Sequence, residues 1–313
     1  MTLALISHGS SLEHLEPEGH PERRDRIRAV QAALEDERFA HLLRLDAQPA
    51  DEALLRLAHP QRHIDRIREA SRSAGESGLR MLDADTYVSP QSYSAAVHAA
   101  GGAAQAVDLV LSGEVKGAFV ATRPPGHHAE PEKPMGFCLF ANAAIAALHA
   151  LENHGLSRVA VLDFDVHHGN GTQAVLWKEA RATFCSSHQY PLFPGGGSPS
   201  ERGAGNIFNA PLPAGATGPM FRHAWETKLL PAVASAAPEL IIISAGFDAH
   251  SRDPLAELDL IEADFAWITQ RICDLADISA QGRVVSVLEG GYDLVGLAAS
   301  AAAHVQVLME RTL

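Results

Sequence analysis

The stretch RVAVLDFDVHHGNG, residues 158–171, opens on a short apolar, β-branched run and turns abruptly to acids and histidines. A run of that length with no polar alternate reads as a strand buried on both faces. Side chains of a strand alternate with period two. If the strand continues through the motif, Asp163, Asp165 and His167 share one face, and Leu162, Phe164 and Val166 share the other. Two carboxylates and an imidazole gathered on one buried face are costly unless a cation neutralises them. Carboxylate and imidazole without a thiol suit zinc or a similar divalent ion. The competing explanation is a hydrogen-bonded polar cluster at a strand end.

The same transition recurs four more times. GAFVAT (117–122) runs into RPPGHHAE, ATFC (182–185) into SSHQY, LIIIS (240–244) into AGFDAH, and RVVSVL (283–288) into EGGYDL. Helical stretches lie between them, 92–111 and 220–236 among them. Doubly buried strands alternating with helices predict an α/β fold, a three-layer αβα arrangement around a mostly parallel sheet. In such sheets ligands bind outside the carboxyl ends of the strands, so five segments distant in sequence should meet at one site. The glycine-rich segment 191–206 reads as a loop with the same alternation on either side, so residues 1–313 are expected to form one catalytic domain.

Composition bounds the rest. Of 313 residues, 46% are hydrophobic and 20% charged, enough to bury a sizeable core. The opening MTLALISHGS reads as a short strand, with no basic flank of a signal peptide. No stretch approaches the roughly 18–20 apolar residues of a membrane span. Cys138, Cys185 and Cys273 sit in apolar surroundings at unrelated spacings, which points to reduced thiols and a cytoplasmic location. The formal net charge of −13 argues against a nucleic-acid backbone as partner. It suits a basic substrate, although many proteins are acidic simply for solubility. An oligomer is compatible with the sequence.

The other strand ends supply further chemistry. Asp248 offers a third metal ligand, leaving a position open for water or substrate; alone, such an aspartate is commonly a helix cap. His127 and His128 sit on a turn stiffened by two prolines and a glycine, and imidazole titrates near neutrality. Asp163 is placed to orient one of these rings and Asn170 the other. The glycines of EGGYD let backbone approach a ligand closely, and Tyr292 can aim its hydroxyl at a carbonyl oxygen.

RPPGHHA, GFCLFANAA, DFDVHHGNGTQ, SSHQYPLFPG, SAGFDAHSRDPL and LEGGYDL together resemble the signature segments of the histone deacetylase and acetylpolyamine amidohydrolase superfamily, in the family's order and from about His20 to the C-terminus. The resemblance implies that Asp165, His167 and Asp248 bind one Zn²⁺. It implies His128 as general base and then acid, His127 as an electrostatic partner paired with Asp163, and Tyr292 as the group that polarises the acyl carbonyl. Gly136, Phe137 and Phe193 match the lining of the family's substrate tunnel, and Asp163 and Ser186 match a structural K⁺ site. Asn170 stands where one branch has a second aspartate, which points to the class II-like, bacterial-type branch. Tyr292 replaces the histidine of a weakly active branch. Leu255 occupies the place where a polyamine-specific relative has a glutamate gatekeeper. Acylated lysine in a protein or peptide is therefore the expected substrate, with an acetylpolyamine or other small acylated amine as the alternative. An arginase-like binuclear site would need further carboxylates where Phe164, Val166 and Gly169 stand. A silent binder of acyl-lysine would be expected to lack Tyr292 or the histidine pair.

Elsewhere, HPERRDRIRAV from His20 reads as a helix start with Pro21 near its beginning. Arg23 is a candidate to reach an internal channel, and Asp85 is placed on a rim loop. His188 reads as a neighbour of the site. His149 and His154 read as ordinary surface or helix histidines without a carboxylate at ligand spacing.

Overall fold

A computed structural model describes residues 2–75 and 78–311. Among the described residues are ten strands: β1 (Leu3–Ser7), β2 (Leu43–Asp46), β3 (Arg80–Met81), β4 (Tyr87–Val88), β5 (Gly117–Val120), β6 (Val159–Asp163), β7 (Ala182–Gln189), β8 (Ile207–Leu212), β9 (Leu240–Ala245) and β10 (Val284–Leu288). Eight form one sheet in the order β2-β1-β5-β10-β9-β6-β7-β8, and every pairing in it is parallel. β3 and β4 form a separate antiparallel pair. The strands expected to carry chemistry, β5, β10, β9, β6 and β7, are consecutive in the sheet, so their carboxyl ends lie side by side.

The connections are helical: α1 (Asp25–Ala33), α2 (Glu52–Leu55), α3 (Gln61–Arg72), α4 (Ser92–Ser112), α5 (Asn142–Glu152), α6 (Asn170–Leu176), α7 (Gly218–Ala224), α8 (Leu230–Ala236), α9 (Glu262–Ser279) and α10 (Leu294–Glu310). One π-helical turn, Trp225–Leu229, joins α7 to α8. Period-two alternation distributes each strand between two cores. Phe119, Leu162, Ile243 and Leu288 face α1 and α7–α10. Val120, Val161, Ile242 and Val287 face α3–α6. The layers are therefore αβα, as expected. The expected helix from His20 begins only at Asp25; the preceding residues form turns instead, and His20 packs edge-on against Tyr87 and Phe137. The three cysteines are buried and free. Among the described residues no helix is long and apolar enough to cross a membrane.

A buried ion cluster fixes the loop after β5. Glu22 lies between two buried guanidinium groups: Arg123 donates to both its oxygens (2.6 and 2.7 Å) and Arg26 to Oε1 (3.1 Å). Arg123 also donates to the carbonyls of Ser11 (2.8 Å) and His14 (2.9 Å), tying the N-terminal segment to the histidine turn. Burial favours the neutral acid, but the charge and hydrogen bonds of Arg123 outweigh it and hold the Glu22 carboxyl below the usual carboxylate range. A depressed folded value means that the pair stabilises fully above the unfolded pKa of about 4.3 and loses its contribution as pH falls through the folded value. Glu22→Gln should cost about 3–5 kcal/mol in urea unfolding at pH 7, because two buried cations lose their counter-charge. The gap from the parent should narrow below about pH 4; a cost under about 1 kcal/mol at pH 7 would show that the cluster does not hold the loop.

Candidate active site

β6 stops at Asp163, so Asp165 and His167 do not share its strand geometry. The chain leaves the sheet in turns closed by the acids themselves. Asp165 N–H donates to Asp163 Oδ1 (3.1 Å) and His167 N–H to Asp165 Oδ1 (2.9 Å). Asp248, just beyond β9, accepts from Val166 N–H (2.8 Å), which locks the two strand ends together. His167 Nδ1 lies 3.1 Å from Asp165 Oδ1 and 3.1 Å from Asp248 Oδ2. These three buried residues each present a ligand atom within 4.8 Å of the others. Burial opposes a charge on His167, yet its hydrogen bonds and charge pairing with Asp165 and Asp248 push its pKa up to about 10. The cluster thus demands positive charge at its centre. A divalent ion meets that demand with a neutral imidazole as ligand, and two carboxylates with one imidazole suit zinc. Gly290 borders the same carboxylates: its N–H donates to Asp165 Oδ2 (2.8 Å), and a Cβ there would overlap both Asp165 and Asp248.

The histidine pair stands beside this cluster, ring centroids 4.0 Å apart. Glu289, at the end of β10, accepts from the N–H groups of Gly126 (2.7 Å) and His127 (3.1 Å) and so seats the turn. His127 Nδ1 meets Asp163 Oδ2 at 3.0 Å, and His128 Nδ1 meets Asn170 Oδ1 at 2.8 Å. The two environments differ sharply. Burial disfavours charge on His127, but Asp165 and Asp163 outweigh it and hold its pKa well above the ordinary value. Burial, followed by the charges on His127 and His167, holds His128 well below it. Gly136, at φ +54° and against the His128 ring, leaves no room for a side chain.

A cavity of about 240 Å³ leads from the surface to these groups, lined by Asp85, Phe137, Phe193, Leu255 and Tyr292 among others. Phe193 packs edge-on against His128 (5.0 Å) and Phe137 against Tyr292 (5.7 Å). Burial, then the carboxylates of Asp248 and Asp165, raise the Tyr292 pKa well above its usual value against the opposing pull of Arg26, so the hydroxyl keeps its proton. Ser186 is the register partner of Asp163, and its hydroxyl lies 2.9 Å from Nδ1 of His188, which in turn meets the Gly197 carbonyl.

A histone deacetylase domain model matches residues 20–308. The chain belongs to the histone deacetylase family. It is 41% identical over 281 residues to a histone deacetylase-like amidohydrolase of Pseudomonas aeruginosa, covering 88% of this chain and 73% of that protein. It is 35% identical to a probable deacetylase of Archaeoglobus fulgidus, over 95% of this chain and 83% of the relative. The solved structure of an HDA15 HD domain aligns with a TM-score of 0.93 at 34% identity, covering 99% of this chain and 89% of that one.

The site of this histone deacetylase family member includes residues that sequence reasoning does not single out. Arg26 and not Arg23 lies below the cavity: its guanidinium sits 4.9 Å from the Tyr292 ring centre and donates to the Gly291 carbonyl (2.6 Å). Arg23 is half-exposed and pairs with Asp25. The helix starting at Asp25 explains the exchange, since it turns Arg26 inward. Glu130 is a second addition. Its Oε1 accepts from Asn170 Nδ2 at 2.8 Å. An amide can present either end to a neighbour, and a carboxylate, which only accepts, forces the nitrogen toward itself. Asn170 must then offer oxygen to His128, which keeps the His128 proton on Nδ1 and leaves Nε2 free. His149 and His154 do have a carboxylate partner, Asp108, contrary to the sequence reading.

Glu130→Ala should lower deacetylase kcat about 10- to 100-fold with KM and thermal midpoint nearly unchanged. Glu130→Gln keeps an acceptor oxygen but can also present its amide nitrogen, and should recover only part of the loss. An unchanged kcat for the alanine variant would show that Asn170 holds its orientation unaided.

Proposed function

We propose that this chain is a zinc-dependent deacylase that removes acetyl or similarly short acyl groups from lysine side chains in a protein or peptide. The observation that carries this reading is a narrow, aromatic-walled cavity that ends on a buried Asp-His-Asp cluster, a histidine pair of opposed pKa and a protonated tyrosine. Asp165, His167 and Asp248 would hold the metal, which when bound lowers the pKa of water and polarises the acyl oxygen.

The chain's own residues supply the remaining chemistry. His128 is neutral and its Nε2 is free, so it accepts the proton of the attacking water. Tyr292 donates a hydrogen bond to the carbonyl oxygen as negative charge develops there. His127 stays protonated against Asp163 and adds positive charge beside the reacting centre. His128 then returns its proton to the departing amine, and acetate and free amine result. For the structural K⁺ we assign Asp163 and Ser186, adjacent in register and both buried. We read residues 1–313 as one catalytic domain, on the continuity of the eight-stranded sheet.

Lysine is favoured over a polyamine by the wall. Phe137, Leu192, Phe193 and Leu255 are apolar, and Asp85 is the one carboxylate among the cavity-lining residues outside the metal cluster. An internal ammonium would lose its hydration against these apolar residues with Asp85 alone to offset the cost, whereas the methylene stem of lysine fits between aromatic faces. A panel of acetyl-lysine peptide, acetylputrescine and acetylspermidine, each with and without a zinc chelator, tests the assignment. Turnover should be abolished by the chelator, restored by Zn²⁺ and highest on the peptide. Preference for the polyamines would overturn the substrate, and no turnover by zinc-loaded protein would overturn the activity. Tyr292→Phe should lower kcat about 10²–10³-fold while peptide binding persists.

A further inference from the structure

Two histidines that the mechanism does not use converge on one carboxylate away from the active site. α4 and α5 each end before entering the next strand, β5 and β6, so their C-terminal turns lie toward the amino ends of the strands, opposite the edge that carries Asp165 and Asp248. Asp108 belongs to the last turns of α4. His149 lies in the last turn of α5, and His154 just beyond its Asn153 cap.

Both imidazole Nε2 atoms lie 2.7 Å from the same oxygen, Asp108 Oδ1. The rings stand edge to face, centroids 5.1 Å apart at 81°, so the nitrogens reach that oxygen from different directions. Two donors crowded on one oxygen leave the other half of the carboxylate without a hydrogen bond among the described residues. A cation between the three atoms would engage all of them at once. The three ligand atoms lie within 4.8 Å of one another. Burial raises the Asp108 pKa, but the hydrogen bonds from His149 and His154 outweigh it, so the group is an anion at neutral pH.

We propose that Asp108, His149 and His154 form a second metal site, separate from the catalytic cluster, that takes a zinc-type dication with water completing its shell. Two imidazoles and one carboxylate without a thiol match Zn²⁺, Ni²⁺ or Cu²⁺ and not the all-oxygen shells of Mg²⁺ or Ca²⁺. A cleft of about 500 Å³, lined by Gln105, Asp108, His149 and Asn153 among others, gives the ion and its water access. An ion held there clamps the end of α4 to the end of α5, and its role is structural.

The test counts zinc by mass spectrometry after metal-stripped protein is dialysed against micromolar Zn²⁺. Wild type should hold two ions per chain. The paired variant His149→Ala/His154→Ala should hold one and keep full deacetylase turnover, which also reports its folding. His154→Gln, a change in a partly exposed turn, should show the same loss. Asp165→Asn/Asp248→Asn should hold one ion and turn over nothing. Two ions retained in both histidine variants would overturn the second site, as would a wild type with a single ion that the aspartate variant loses. A single ion lost only on changing the histidines would support the second site and sink the catalytic zinc assignment instead.

Discussion

Four carboxylates, Asp163, Asp165, Asp248 and Glu289, are essentially fully buried at the carboxyl ends of adjacent parallel strands. Among the described residues no lysine is buried with them. The buried guanidinium of Arg26 directs its hydrogen bonds to Glu22 and to the carbonyls of Glu289 and Gly291. Compensation comes instead from main-chain N–H groups of Asp165, Val166, His167, Gly290, Gly126 and His127, and from His127 and His167. Burying ionised groups this way costs several kcal/mol each unless opposite charge and hydrogen bonds are in place. The turns, the close glycines and the histidine placement are all responses to that one concentration of acidic groups, and the proposed metal would be another.

Parallel pairing makes the concentration possible. In an antiparallel sheet neighbouring strands would deliver their carboxyl ends to opposite edges. Here β5, β10, β9, β6 and β7 deliver theirs to one edge, and the αβα layers exclude water from both sides. The low effective dielectric that makes unpaired acids expensive also makes each remaining charge act strongly on its neighbours. This is why two buried imidazoles 4.0 Å apart can have pKa values displaced in opposite directions: Asp165 and Asp163 outweigh burial at His127, whereas at His128 burial and the neighbouring imidazoles prevail.

Much of this was legible in the sequence because local signals carried it. Short apolar runs ending in reactive residues marked the strands, and β5, β6, β7, β9 and β10 lie where those runs fall, with β7 extending through Gln189. The alternation rule failed past Asp163 because side-chain hydrogen bonds replaced ladder bonds there, a change that hydropathy does not encode. The start of α1 was placed too early because Pro21 resembles a first-turn proline. Consequently the inward arginine was missed by one turn. Asp108 could not be linked to His149 or His154 from spacing, since they are brought together by the packing of α4 on α5 across 41 and 46 residues. Glu130 was invisible for a related reason: only the fold places it behind Asn170.

The groups proposed to react and the groups proposed to choose the substrate have different anchorage. Asp165, Asp248, His127 and His128 are buried at strand ends or on a turn tied to them, whereas Phe193, Leu255 and Asp85 stand on loops, and Phe193 is 40% exposed. Loop residues with solvent on one side can be exchanged at little cost to stability. On the proposed reading, the chain can therefore change its clientele by drift in a few partly exposed wall positions while the buried acids and histidines stay fixed. Diversification of acyl preference in such a scaffold need not pass through inactive intermediates.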